Sequence, residues 1–107
     1  MRTIDVIADW LKHEGTRYLF CFPTSVLIEA CAQAGLKPII CRQERVGVGM
    51  ADGYSRVTDG AIPGVFAMQF GPGAENAYAG IATAYSDSAP ILLLPRDAAL
   101  RYGRPRL

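Results

Sequence analysis

Hydrophobic positions along the chain switch between helical spacing and short, nearly continuous apolar runs. Apolar side chains recur at helical intervals over residues 4–11. Thr3 is the predicted N-cap of this helix, and Gly15 is its predicted end. Residues 17–22 are then almost uniformly apolar, as expected for a buried strand, and Pro23 ends that run. The chain therefore begins with a predicted helix and a predicted strand.

The same alternation continues through most of the chain. The pattern predicts further helices over residues 26–34, 44–57 and 75–85, and further strands over residues 37–41, 64–70 and 91–94. Strands that alternate with helices of about ten residues indicate βαβ units. We therefore predict an α/β fold of three layers (α/β/α), with a mostly parallel sheet between two layers of helices.

Three polar or glycine-containing stretches follow successive predicted strands. They are residues 23–25, 42–44 and 71–73. Ligands of open α/β sheets bind at the carboxyl ends of the strands, so these stretches are expected to converge on one site.

The composition supports a single globular domain and excludes several functions. The chain has 107 residues, of which 50% are hydrophobic and 20% are charged, and its net charge is +1. This composition is not that of a disordered chain, nor of a nucleic-acid binder that relies on bulk charge. No apolar run approaches the ~20 residues that a membrane span needs, so we expect no membrane partner.

The cysteines follow neither a disulfide pattern nor a metal-ligand pattern. Cys21, Cys31 and Cys41 are odd in number and contain no C-x-x-C pair, so neither a disulfide framework nor a zinc site is predicted. Free thiols are typical of a reducing compartment, and the chain begins without a signal-peptide pattern. We therefore expect a cytoplasmic protein.

Glu44 is the leading candidate for chemistry, although its position also has an ordinary interpretation. It begins a predicted helix directly after a strand, where the helix dipole favours any carboxylate and Arg42 or Arg45 lies alongside. The helix that follows has glycines at positions 47, 49 and 53, each of which costs about 1 kcal/mol relative to alanine. This cost suggests that another backbone, a subunit or a ligand approaches the helix closely.

Three segments of the chain resemble one enzyme family. Residues 42–56, RQERVGVGMADGYSR, resemble the signature of thiamine-diphosphate enzymes of the acetolactate synthase, pyruvate oxidase and benzoylformate decarboxylase kind. In that family an acid follows a strand and precedes a small-residue helix that ends A-x-G-Y-[AS]-R. FCFPTS resembles the family's F-G-x-P-G turn, and residues 70–95 resemble its G-P-G-A-x-N and G-x-A-x-A-x-x-D-S-x-P-x-L-x-L patterns. The segments occur in the family's order and cover most of residues 3–95.

The resemblance implies a flavodoxin-like thiamine-diphosphate-binding fold with Glu44 as the catalytic acid. In the family this glutamate hydrogen-bonds N1′ of the cofactor's aminopyrimidine ring and so activates the thiazolium carbon. Four further residues match or adjoin the family's loops near that ring and are predicted to bind the cofactor: Pro23, Gln69, Gly71 and Asn76. For Asn76 the alternative interpretation is a cap of the fourth helix.

The turn after the first strand departs from the family pattern. The family often has glycine where Cys21 stands and again after the proline, where Thr24 stands. Thr24 and Ser25 therefore bring hydroxyls that are predicted to face the substrate. Ser25 also falls where some benzoylformate decarboxylase-like members place a catalytic serine, and its alternative interpretation is an N-cap of the second helix. These departures leave the substrate open.

The resemblance covers only the pyrimidine half of the cofactor site. The family holds the diphosphate through Mg²⁺ on a second domain marked by a G-D-G segment, and this sequence contains no such segment. We assign residues 1–95 to a partial N-terminal pyrimidine-binding domain. Residues 96–107, with four arginines against Asp97, are predicted to be an irregular basic tail.

Three functions are compatible with such a domain. The first is the pyrimidine half-site of an acetolactate synthase-like 2-oxo acid decarboxylase or carboligase, inactive by itself. The second is a separate pyrimidine-domain subunit of a split decarboxylase, and the third is a non-catalytic module that pairs with a full-length relative. The expected partner is a diphosphate-binding domain or subunit, or a second copy of the chain through helix 44–57.

Overall fold

The elements of the fold follow the predicted alternation of helices and strands. The computed structural model describes residues 1–23 and 26–96 of the chain. In chain order the elements are α1 (Thr3–His13), β1 (Tyr18–Cys21), α2 (Val26–Ala34), β2 (Lys37–Ile40), α3 (Glu44–Val57), β3 (Gly64–Met68), α4 (Pro72–Ser86) and β4 (Ile91–Pro95). The predicted bounds of α2 and α3 coincide with the observed ones. None of the described helices is both long and apolar enough to span a membrane.

The four strands form one parallel sheet in the order β2-β1-β3-β4. Alternate residues of a strand point to opposite faces, so β1 directs Leu19 and Cys21 towards α1 and α2, and Phe20 towards α3 and α4. Helices α1 and α2 pack together on one face of the sheet, and α3 and α4 pack together on the other. The predicted three-layer α/β fold is therefore confirmed.

Three glycines bring the elements on the α3–α4 side into close contact. A Cβ on Gly47 would overlap the ring of Phe66, and a Cβ on Gly64 would overlap the backbone of α3. Where α4 crosses α3, a Cβ on Gly80 would overlap the side chain of Val48. The close approach predicted for the glycine-rich helix is thus confirmed at Gly47, which lies against β3.

Gly49 and Gly53 differ from Gly47 although they lie in the same helix. A Cβ at either position would meet no atom within 4 Å. The close neighbour expected from the sequence is therefore not found at these two positions within the described part of the chain. Both glycines therefore face open space on the outer side of α3.

Two helices begin at positions that differ from the predicted ones. Thr3 is the first residue of α1, and Arg2 is the N-cap. The Arg2 N–H and its guanidinium both donate to the Asp5 carboxylate, each at 2.9 Å, which satisfies the start of the helix. Helix α4 begins at Pro72, because proline is favourable in the first helical position and Gly71, with φ +56°, makes the preceding turn.

The end of α3 connects the helix to the amino ends of β3 and β4. The buried Ser55 hydroxyl donates to the carbonyl of Pro90 at 2.6 Å and accepts a hydrogen bond of 2.7 Å from the Gly64 N–H. The next residue, Arg56, lies 2.8 Å from a carboxylate oxygen of Asp87. These two residues of the glycine-rich signature therefore have a structural role at the end of the sheet opposite the candidate site.

The thiols of Cys21 and Cys31 are fully buried, and burial raises the pKa of each to about 11, from an ordinary value of 9.0. A thiol whose pKa is higher in the folded state than in the unfolded state stabilises the fold at any pH below the unfolded pKa. This stabilisation should be lost as the pH rises from about 9 to about 11. We expect the urea midpoint to fall over that range, and to fall less in the double variant Cys21→Ala/Cys31→Ala. Parallel curves for the two proteins would contradict this prediction.

Candidate functional site

The carboxyl ends of β1, β2 and β3 lie side by side at one edge of the sheet. Backbone pairing continues one residue past two of the strands: the Phe22 N–H donates to the Ala67 carbonyl at 3.0 Å, and the Cys41 N–H donates to the Cys21 carbonyl at 2.9 Å. The segments that follow these three strands therefore leave the sheet next to one another, as predicted for the site.

Glu44 begins α3 and is buried, with only 4% of its surface exposed. The dipole of α3 favours a negative charge in the first turn, but a buried carboxylate also needs hydrogen-bond partners. Neither Arg42 nor Arg45 supplies one, since the ion pairs among the described residues all lie elsewhere. Glu44 is therefore not an ordinary surface acid paired with a neighbouring arginine.

Asn76 donates the hydrogen bond that the side-chain carboxyl group of Glu44 accepts within the described residues. Its Nδ2 donates to Oε2 of Glu44 at 3.0 Å. Asn76 lies well inside α4, whose N-cap is Gly71, and no side chain caps that helix. The capping interpretation of Asn76 is therefore wrong. The crossing of α4 over α3 brings Asn76 to the start of α3.

The first turn of α4 lies against the other oxygen of Glu44. A Cβ on Gly73 would lie 3.0 Å from Oε1 of Glu44 and 2.8 Å from Cβ of the half-buried Gln69. The sequence places Gly73 in a predicted turn, but it contains no signal that this glycine contacts the carboxyl group. Glu44, Gln69, Gly73 and Asn76 thus form one close group at the carboxyl edge of the sheet.

Oε1 of Glu44 accepts no hydrogen bond from any described residue, whereas Oε2 is bonded to Asn76. An unsatisfied acceptor in a buried position costs free energy, so a ligand that donates a hydrogen bond here would be favoured. Such a carboxyl group can also exchange a proton with a bound ligand. Burial raises the pKa of the nearby Cys41 thiol, and the charge of Glu44 adds to that effect.

Of the remaining predicted site residues, two lie at this edge of the sheet and two lie outside the described residues. Pro23 and Gly71 are both exposed and follow β1 and β3 at the same edge of the sheet. Thr24 and Ser25, predicted to face the substrate, lie outside the described residues, as do residues 97–107 of the predicted basic tail. Within the described ranges, no group of three His, Cys, Asp or Glu side chains is arranged to hold a metal ion.

Comparison with known proteins assigns the chain to a family. Residues 1–104 match the family described as thiamine pyrophosphate enzyme, N-terminal TPP binding domain. The acetolactate synthase large subunit of Haemophilus influenzae is 36% identical over 94 residues, which are 84% of this chain and 16% of that protein. The isozyme 3 large subunit of Escherichia coli is 34% identical over 99 residues, which are 89% of this chain and 17% of that protein.

The fold is also similar to that of solved structures. Benzoylformate decarboxylase from Polynucleobacter necessarius superposes with a TM-score of 0.77 over 100% of this chain and 21% of its own, at 23% identity. This likeness shows the fold alone. The chain spans about a sixth of the length of the curated relatives it matches. By sequence and fold it belongs to the thiamine pyrophosphate enzyme family, in which it corresponds to the N-terminal TPP-binding domain of acetolactate synthase-like enzymes.

Proposed function

We propose that the chain binds the aminopyrimidine half of thiamine diphosphate, with Glu44 as the acid that activates the cofactor. The observation that carries this proposal is the buried Glu44 carboxyl, whose Oε2 is held by Asn76 and whose Oε1 has no partner among the described residues. Family membership implies the cofactor, and the unpartnered Oε1 fits a ring nitrogen that can share a proton.

Glu44 would exchange a proton with the cofactor, and the residues around it would bind the ring. Thiamine diphosphate, when bound, supplies the carbon–carbon bond chemistry through its own thiazolium ring. Glu44 would hold or release a proton at Oε1, and its burial keeps bulk water away from that atom. Gly73 leaves room beside Oε1 that any side chain would fill. Pro23, Gln69 and Gly71 would line the ring from the adjoining loops.

The diphosphate half of the site would come from a partner. The described residues offer no metal-binding group, and the sequence contains no G-D-G segment. We propose that a diphosphate-binding domain or subunit supplies Mg²⁺ and the diphosphate contacts. The assembled enzyme would decarboxylate a 2-oxo acid, with or without transfer of the resulting aldehyde unit, and this chain would be inactive by itself.

The outer side of α3 and α4 has the character of an interface for such a partner. We call it the α3–α4 face, and define it by eight residues: Val46, Gly49, Met50, Gly53, Val57, Tyr78, Ala82 and Tyr85. Val57, Tyr78 and Tyr85 are 87%, 71% and 86% exposed. Helix α4 has a single charged residue, Glu75, along its whole length. Few charges and exposed aromatic side chains are the marks of an interface core.

Calorimetry tests the proposal directly. Thiamine diphosphate and Mg²⁺ would be titrated into the chain alone, into a full-length acetolactate synthase large subunit whose own matching glutamate is replaced by alanine, and into their mixture. We expect the mixture to bind the cofactor more tightly than either protein. A mixture that binds no better than the large subunit alone would contradict the proposal. If the two proteins nevertheless co-elute in gel filtration, the chain is a non-catalytic interaction module.

If the α3–α4 face is the interface, substitutions on it should weaken binding of the partner. Replacing Met50 by arginine would place an unpaired charge in the proposed interface, and we expect the affinity for the large subunit to fall about tenfold or more. The matched control is Val6→Arg, which adds the same charge at an exposed apolar position on α1. Equal effects of the two substitutions, measured by analytical ultracentrifugation, would show that the face is not the interface.

A further inference from the structure

We propose that Asn76 is a positioning residue that determines which oxygen of Glu44 exchanges a proton with the cofactor. The inference rests on the proposed function of Glu44. It replaces the direct cofactor contact predicted for Asn76 from the sequence by an action through Glu44, because the Asn76 amide is bonded to Oε2 of that residue.

The amide group of Asn76 makes the two oxygens of Glu44 unequal. A side-chain NH₂ group donates hydrogen bonds and accepts none, so Oε2, 3.0 Å from Nδ2, must act as an acceptor. A carbonyl or ionised oxygen accepts a hydrogen bond better than a hydroxyl oxygen does, so the bond from Nδ2 favours Oε2 as the oxygen without a proton. A carboxyl proton on Glu44 is therefore favoured on Oε1.

Helix α4 determines the position of both oxygens. Gly73 and Asn76 are three positions apart and so lie on one face of the helix, where the first adjoins Oε1 and the second binds Oε2. Gly80 lies further along the same helix and packs on Val48 of α3, which holds the two helices close together. The carboxyl plane of Glu44 is thus oriented by the packing of α4 on α3.

The contact itself can be tested in the cofactor-free chain. Asn76 is exposed apart from this hydrogen bond, so its substitution should leave the core intact. We expect the Nδ2 proton resonances of Asn76 to move when Glu44 is replaced by alanine. They should stay in place in the control Thr83→Ala, which removes only a local hydrogen bond to Ala79 on the same helix. Unchanged Asn76 resonances in the Glu44→Ala variant would overturn the proposal.

A double-mutant cycle then separates positioning from direct cofactor contact. In the mixture with the large subunit, Asn76→Leu should weaken thiamine-diphosphate binding about tenfold, the usual effect of losing a hydrogen bond to a charged group. In a Glu44→Ala background the same substitution should change binding by less than about twofold, because Asn76 would act through the Glu44 side chain. A tenfold loss in both backgrounds would mean that Asn76 contacts the cofactor itself, and would overturn the proposal.

The pH profile of Asn76→Asp gives a readout that a purely structural role would not change. Near pH 5 the introduced acid is partly protonated and can still donate to Oε2, whereas near pH 8 it is ionised and repels Glu44. We expect its loss of affinity relative to wild type to grow about tenfold between these pH values, while that of Asn76→Leu stays level. Superimposable profiles for the two variants would contradict the proposal. If the wild-type mixture binds no cofactor, the proposed function fails, while the resonance test still decides the Asn76–Glu44 contact.

Discussion

Replacing Glu44 by glutamine is expected to slow cofactor activation by a factor of about 10²–10⁴, the usual contribution of a positioned acid or base. Glutamine has the same shape, and its side-chain oxygen can still accept the Asn76 hydrogen bond, but it cannot take up or release a proton. The measurement is the exchange of the C2 proton of thiamine diphosphate in deuterated buffer. It would use the mixture with the large subunit whose own matching glutamate is absent, so that this chain supplies the acid.

Two comparisons make the Glu44 prediction specific. The affinity for thiamine diphosphate should fall about tenfold at most, because a charge-assisted hydrogen bond is lost while the pocket keeps its shape. The control Glu75→Gln neutralises an exposed carboxylate one residue before Asn76 and should leave the exchange rate unchanged. Wild-type exchange in Glu44→Gln would rule out the assigned role, whatever the effect on binding.

Replacing Gly47 by alanine is expected to lower the free energy of unfolding by about 1–3 kcal/mol, even though alanine is the better helix former. The added methyl group would overlap the ring of Phe66, which is fully buried, so the ring and its neighbours would have to shift. It would also lie 2.7 Å from the Cys41 sulfur. Urea unfolding followed by circular dichroism would measure the change.

The matched control for Gly47 lies in the same helix. Gly49→Ala adds the same methyl group where no atom lies within 4 Å, so we expect a gain of about 0.5–1 kcal/mol from the lower backbone entropy of the unfolded chain. Because Gly49 belongs to the α3–α4 face, the same substitution should weaken binding of the proposed partner. Destabilisation by both substitutions would contradict the assignment of close packing to Gly47 alone.

The fold class, the order of the elements and the position of Glu44 at the start of a helix could all be predicted from the order of the amino acids alone. Helix α3 could be predicted over its observed bounds, Glu44–Val57, and α2 over Val26–Ala34. Both predictions rest on periodicity and on breaking residues close in the sequence, such as Gly35, which has φ +99°. Because parallel strands end at one edge of the sheet, the sequence also indicated that Glu44 and the loop before α4 would meet.

How those residues meet depends on the packing of distant segments against one another. Glu44 and Asn76 are 32 positions apart, and their hydrogen bond exists because α4 crosses α3 closely at Gly80. In the sequence Asn76 was equally compatible with a helix cap, and the glycines at 47 and 49 were indistinguishable. Local sequence patterns indicate the backbone conformation of a segment, whereas the contacts of a side chain depend on packing between segments. That packing places Gly47 against Phe66, leaves Gly49 open, and leaves one oxygen of Glu44 without a partner among the described residues.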